Sequence, residues 1–153
     1  MLDIRQIPVL SDNFIYLVRE PASGQVAVVD PAVAEPVLAE AARLGWTITH
    51  ILNTHHHGDH VGGNLAIKAA TGCRIVGPAP DAGRIPGIDL PLGDNATFDL
   101  GAEQARVFFV PGHTRGHIAT GSRAPRRCSA AIPCSPSAAA ACSRARRRRC
   151  GPA

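Results

Sequence analysis

The chemistry in this sequence concentrates in Thr54-His55-His56-His57-Gly58-Asp59-His60. In the pattern H-x-H-x-D-H, His55, His57, Asp59 and His60 bring four ligand-type side chains within six residues. Alternate residues of an extended segment share a face, so His55 and His57 can point the same way while His56 points elsewhere. Gly58 lets the backbone turn, so that Asp59 and His60 aim at a neighbouring point. Imidazole nitrogen and carboxylate oxygen suit zinc at about 2.0–2.2 Å, and they suit iron or manganese too. A histidine-rich exposed loop or a tag would show the same composition, but this run lies inside the chain, between an apolar strand-like segment and a helical one.

A second run, Pro111-Gly112-His113-Thr114-Arg115-Gly116-His117, follows another strand-like segment. It offers His113 as a third imidazole beside His55 and His57. Three histidines leave a coordination position open for water, as a catalytic zinc requires. His117 fits a structural hydrogen bond better than a ligand role. Arg115 fits either a substrate contact or a solvated surface.

These runs need strands to present them. Residues 4–10 read as an edge strand carrying Pro8, and Ser11-Asp12-Asn13 as a turn. Residues 14–18 and 25–29 read as a hairpin that ends at Asp30-Pro31. Val37, Leu38, Ala41 and Leu44 recur at helical spacing, with Gly45 at the C-terminal cap position. Residues 48–52 are a buried strand, 64–70 a helix stopped by Thr71-Gly72, and 74–76 a strand. Residues 78–95 read as a loop, and 107–110 as the last clear strand. Both ligand runs therefore sit at strand ends, where sites in α/β proteins gather. Cys73, Trp46, Tyr16 and the four phenylalanines read as core.

Charge divides the chain at Ala119. Residues 1–119 hold all twelve acidic residues and eight basic ones, a net of −4, whereas residues 120–153 hold eight arginines and no acid. The latter segment has one isoleucine and no Leu, Val, Phe, Tyr or Trp. It cannot bury enough apolar surface to offset its ordering entropy, so a disordered tail is expected. Its arginines, Arg144 and Arg146 to Arg149, lack the aromatic interleaving and recognition fold of a nucleic-acid binder. The spacing of Cys128, Cys134, Cys142 and Cys150 lacks the close pair of a structural zinc site. No apolar run is long enough to span a bilayer, and the first residues do not read as a signal peptide. A cytoplasmic monomer without nucleic-acid or membrane partners is the expectation.

Together the two ligand runs, with Leu10-Ser-Asp-Asn-Phe-Ile-Tyr-Leu17 and Val29-Asp30-Pro31, resemble the metallo-β-lactamase superfamily, and within it the hydroxyacylglutathione hydrolases. The resemblance covers residues 1–119. It implies an α/β (α+β) fold, the αββα sandwich, here incomplete and limited to its N-terminal half. It implies two zinc ions, one on His55, His57 and His113 and one on Asp59 and His60. A hydroxide between them would attack a glutathione thioester such as S-lactoylglutathione and release glutathione and D-lactate. Asp59 would orient that hydroxide, a catalytic role. A bridging aspartate and a last histidine are also implied, yet no Asp, Glu or His follows His117. The helical glutathione-binding domain has no counterpart either. Re-reading the possible codons of the tail one nucleotide out of register permits strings such as ALFCGDTLF, which resemble the missing continuation. We therefore read the chain as frameshifted after Ala119, with impaired or no activity expected. A persulfide dioxygenase of the same fold and an inactive metal-binding product are the alternatives.

Overall fold

The computed structural model describes residues 1–122. The expected disorder and frame of the tail fall outside the described residues from 123 onward. The order is β1 (Asp3–Val9), β2 (Asn13–Arg19), β3 (Val26–Val29), α1 (Glu35–Leu44), β4 (Ile48–Leu52), α2 (Gly58–Val61), α3 (Asn64–Thr71), β5 (Arg74–Pro78), a 3₁₀ turn (Ala79–Arg84), β6 (Leu90–Leu92), β7 (Thr97–Leu100), β8 (Glu103–Phe109) and β9 (Ile118–Ser122).

Strands β1 to β6 form one sheet in chain order. The first three are antiparallel neighbours, and β3 to β6 run parallel. Strands β7 to β9 form a second, antiparallel sheet. Period-two alternation splits the large sheet's residues between two cores. Ile15, Leu17, Val26, Val28, Ile51 and Ile75 face α1 and α3, joined by Val37 and Ile67. Val18, Ala27, Val29, Leu52 and Val76 face the small sheet, joined by Phe98, Leu100, Val107 and Ile118. The described residues thus make three layers of the expected sandwich: helices, large sheet, small sheet.

A bulge between Val26 and Ala27 shifts the register against β4. The Thr49 hydroxyl donates to the Val26 carbonyl and accepts from its N–H there, at 2.9 and 3.1 Å. Buried Glu20 ties the sheets together: its carboxylate takes the Ala22 and Ser23 N–H groups of the hairpin and the Ala102 N–H of the β7–β8 turn.

Several elements depart from the sequence reading. Residues 78–95, expected as loop, contain the 3₁₀ turn and β6. Strands β7 and β9 and the short α2 were not legible. β9 runs to Ser122, past Ala119, because ladder pairing with β8 uses main-chain groups and accepts Thr120-Gly121-Ser122. Phe98 is core, but Phe14 and Phe108 are exposed, against expectation. Phe108 lies on the outward face of β8, where the Arg106 guanidinium sits 5.3 Å from its ring. Gly45 and Gly72 stop α1 and α3 in left-handed conformations, as read. Among the described residues no helix is long and apolar enough to cross a membrane.

Candidate metal centre

Two loops at one edge of the sandwich build the site. β4 ends at Leu52 and delivers residues 53–57, after which α2 begins. β8 ends at Phe109 and delivers residues 110–117, after which β9 begins. The loops are joined where the Ile118 N–H donates to the Thr54 carbonyl at 3.0 Å. The glycine pair after α2 lets the chain close on the loop after β3. A Cβ on Gly62 would lie 2.5 Å from the Ala32 carbonyl oxygen, and one on Gly63 2.8 Å from that of Pro31.

His55, His57 and His113 converge, with one nitrogen from each inside a 4.8 Å span. His57 Nδ1 lies 3.1 Å from His113 Nε2. Two lone pairs repel at that distance unless a proton or a cation sits between them. Ligands of a tetrahedral zinc, each about 2.1 Å from the ion, would stand about 3.4 Å apart. His55 is buried; its Nδ1 lies 2.9 Å from the Thr54 hydroxyl, and its Nε2 has no hydrogen-bond partner among the described residues. A buried polar atom without a partner costs stability, which an ion on Nε2 would offset. Burial, then the neighbouring His60, His117, His57 and His113, push the His55 pKa down to about 2. Burial, then His113, lower that of His57. Both rings therefore stay neutral and present lone pairs.

A second group overlaps the first: Asp30, His55 and His60 also bring ligand atoms inside 4.8 Å. His60 stands between two carboxylates, with Nδ1 3.1 Å from Asp30 Oδ2 and Nε2 3.4 Å from Asp59 Oδ2. The first contact is close enough for charge pairing but off the line of a hydrogen bond. Burial opposes a charge on His60, yet Asp30 and Asp59 outweigh it and raise its pKa. Asp59 is half exposed, and its Oδ2 and main-chain oxygen accept from the Asn13 amide at 3.0 and 2.9 Å. That Asn13 bond is the main cause of a lowered Asp59 pKa.

All five residues expected as ligands thus lie in one neighbourhood, and His56 stands outside both three-residue groups, its ring turned to the buried Asp81. His117 is buried, its ring 4.8 Å from that of His55, and stands outside both three-residue groups. Arg115 is exposed. Cys73 is buried, and burial raises its thiol pKa, so it fits the core role. Asp30 and Asn13 escaped the sequence reading. Asp30 was read as a strand end; its φ of +48° is rare for a non-glycine residue. Its carboxylate accepts from the Thr54 N–H at 2.8 Å and hydroxyl at 2.6 Å. Asn13 was read as a turn residue.

The model of the metallo-beta-lactamase superfamily matches residues 10–126. The chain belongs to that superfamily. Among its curated relatives, the hydroxyacylglutathione hydrolase of Methylococcus capsulatus is 62% identical over 119 residues, covering 78% of this chain and 46% of the relative. That of Rhodospirillum rubrum is 64% identical over 118 residues, covering 77% and 46%. The chain thus spans about half the length of these relatives. Among solved structures, ETHE1 from Myxococcus xanthus aligns with a TM-score of 0.67 at 28% identity, covering 78% of this chain and 53% of that one. The BLEG-1 B3 metallo-beta-lactamase aligns at 0.70 with 21% identity, covering 79% and 68%, which shows the fold alone.

In this superfamily member Asn13 gives a direct test of how Asp59 is held. Asn13→Ala removes the donor to Oδ2, so the Asp59 carboxyl is expected to titrate higher, toward the ordinary carboxylate range. Side-chain carbon shifts followed against pH check this. An unmoved Asp59 titration would refute the assignment.

Proposed function

We propose that the chain is the metal-binding half of a hydroxyacylglutathione hydrolase, an enzyme that cleaves S-lactoylglutathione to glutathione and D-lactate. The observation that carries the reading is the partnerless Nε2 of buried His55, meeting one nitrogen each from His57 and His113. His55, His57 and His113 would hold one divalent ion, and Asp59 and His60 offer donors to a second. Zinc suits these nitrogen and oxygen donors; iron and manganese are compatible. When bound, such ions lower the pKa of water and polarise a carbonyl. The chain's own part is to keep His55 and His57 neutral and to keep Asp59 ionised through Asn13, ready to accept a hydrogen bond. A glutathione thioester substrate and the free, buried Cys73 both suit a reducing compartment, which supports the cytoplasmic reading.

Identities of 62 and 64% to curated hydroxyacylglutathione hydrolases favour thioester hydrolysis over persulfide oxidation. Within this chain Asp59 and His60 make only part of a second site. Turnover of S-lactoylglutathione is therefore expected at least about a hundredfold below a full-length relative, because one lost partner outside the ligand shell already costs about 10- to 100-fold. Thiol release by the zinc- or iron-loaded chain checks the rate. Near-native turnover would refute the incomplete-site reading. Oxygen uptake with glutathione persulfide, without thiol release from the thioester, would overturn the hydrolase reading.

A further inference from the structure

The three-residue run His55-His56-His57 has a chemical problem. A middle imidazole that swung round would compete with its neighbours for an ion. The structure shows what holds it away. Asp81, in the 3₁₀ turn after β5, has a wholly buried side chain. Its Oδ2 lies 2.8 Å from His56 Nδ1, and its Oδ1 lies 2.5 Å from an Arg84 nitrogen. The other Arg84 nitrogen lies 3.0 Å from His56 Nε2. Guanidinium only donates, so His56 Nε2 must accept from it. The ring proton must then sit on Nδ1 and point at Asp81. Carboxylate, imidazole and guanidinium close a ring in which every facing donor meets an acceptor.

The same carboxylate abuts the second ligand loop. A Cβ on Gly116 would lie 2.7 Å from the Asp81 Cγ, so this loop can approach only as glycine. Asp81 therefore touches both segments that carry the candidate ligands, one by a hydrogen bond and one by contact.

We propose that Asp81 and Arg84 are positioning residues of the metal centre: they clamp His56 with its Nε2 lone pair capped by a cation, and so hold its chain neighbours, His55 and His57, toward the ion. The inference rests on reading His55, His57 and His113 as an ion site. An ion pair whose guanidinium end is more than half exposed adds little stability by itself. Its value here is orientation.

Two measurements test the clamp. The first needs no metal. Nitrogen-15 NMR of the metal-free 153-residue chain should show His56 protonated on Nδ1, the minor tautomer of a free imidazole. Arg84→Ala should keep Nδ1 protonated against Asp81 but move the Nε2 resonance, as that lone pair loses its donor. A parent chain with His56 as Nε2–H overturns the clamp. The second is cobalt(II) titration at 25 °C, read by visible absorption, with the Tm of the metal-free chain in parallel. Arg84 is largely exposed, so Arg84→Ala should leave Tm near the parent value while weakening cobalt binding by about 10- to 100-fold. Arg84→Lys should recover part of the loss. Asp81→Asn should act in the same direction; if it does not fold, the Arg84 pair still decides. Cobalt binding within twofold of the parent in Arg84→Ala overturns the positioning role. A parent chain that binds no cobalt sinks the ion-site reading, and with it the positioning role, while the NMR result separately decides the clamp.

Discussion

His55→Ala should abolish metal capture while leaving the metal-free fold intact. His55 belongs to both groups of converging ligand atoms, so this one change removes a donor from each. Its Nδ1 is engaged by the Thr54 hydroxyl, which leaves Nε2 as the atom aimed at the ion. Loss of an outer partner costs about 10- to 100-fold in affinity, and loss of a ligand should cost at least about a hundredfold. The cost to folding should be small, because Nε2 is a buried atom with no hydrogen-bond partner among the described residues. Removing it trades a desolvation penalty of about 1–3 kcal/mol against a cavity of similar cost. The metal-free variant should therefore melt close to the parent, while zinc should raise the Tm of the parent alone. Metal content after dialysis and melting with and without zinc measure both effects. A variant that keeps one equivalent of zinc would show that the site lies elsewhere.

Acid should unfold the metal-free chain well above the pH at which carboxylates protonate. His50, His55, His57 and His117 all have lowered pKa values, each with burial as the first cause. For such groups the unfolded chain binds protons below about pH 6.5 while the folded chain does not, so stability falls as pH drops through that value. His60 acts in the opposite sense, since its pKa is raised. Its contribution is complete below the unfolded value and is lost as pH rises through the folded one. Four against one leaves acid as the destabiliser. His55 alone, held at about 2, should cost about 2 kcal/mol between pH 6.5 and pH 5, at about 1.4 kcal/mol per unit. Urea midpoints of the metal-stripped chain at pH 7.5 and pH 5 check this. Equal midpoints would mean that the histidine cluster is not held neutral, and His55→Ala should remove part of the pH dependence.

Local pattern carried much of the fold and most of the candidate site. The apolar runs 14–18 and 26–29 are visible in the chain because a strand buried on both faces reads as a short continuous apolar stretch bounded by turn residues. Gly45 and Gly72 mark helix ends because the left-handed cap position favours glycine. His55, His57, Asp59 and His60 were legible because they crowd into six residues. His113 was legible because a similar run follows a second strand.

Strands β6, β7 and β9 were not legible. They are short, and β9 continues through Thr120-Gly121-Ser122, so its existence depends on β8 lying beside it. The residues around the ligands were hidden for the same reason. Asp30 meets Thr54 across 24 positions, Asp81 meets His56 across 25, and Asn13 meets Asp59 across 46. A single carboxylate or amide has no periodicity and no neighbour in sequence to mark it. The sequence by itself determined which side chains could grip an ion and which segments would present them. Only the tertiary structure decided which way each ring turns, because the tautomer and direction of an imidazole are set by whatever faces its second nitrogen, and that partner is chosen by folding.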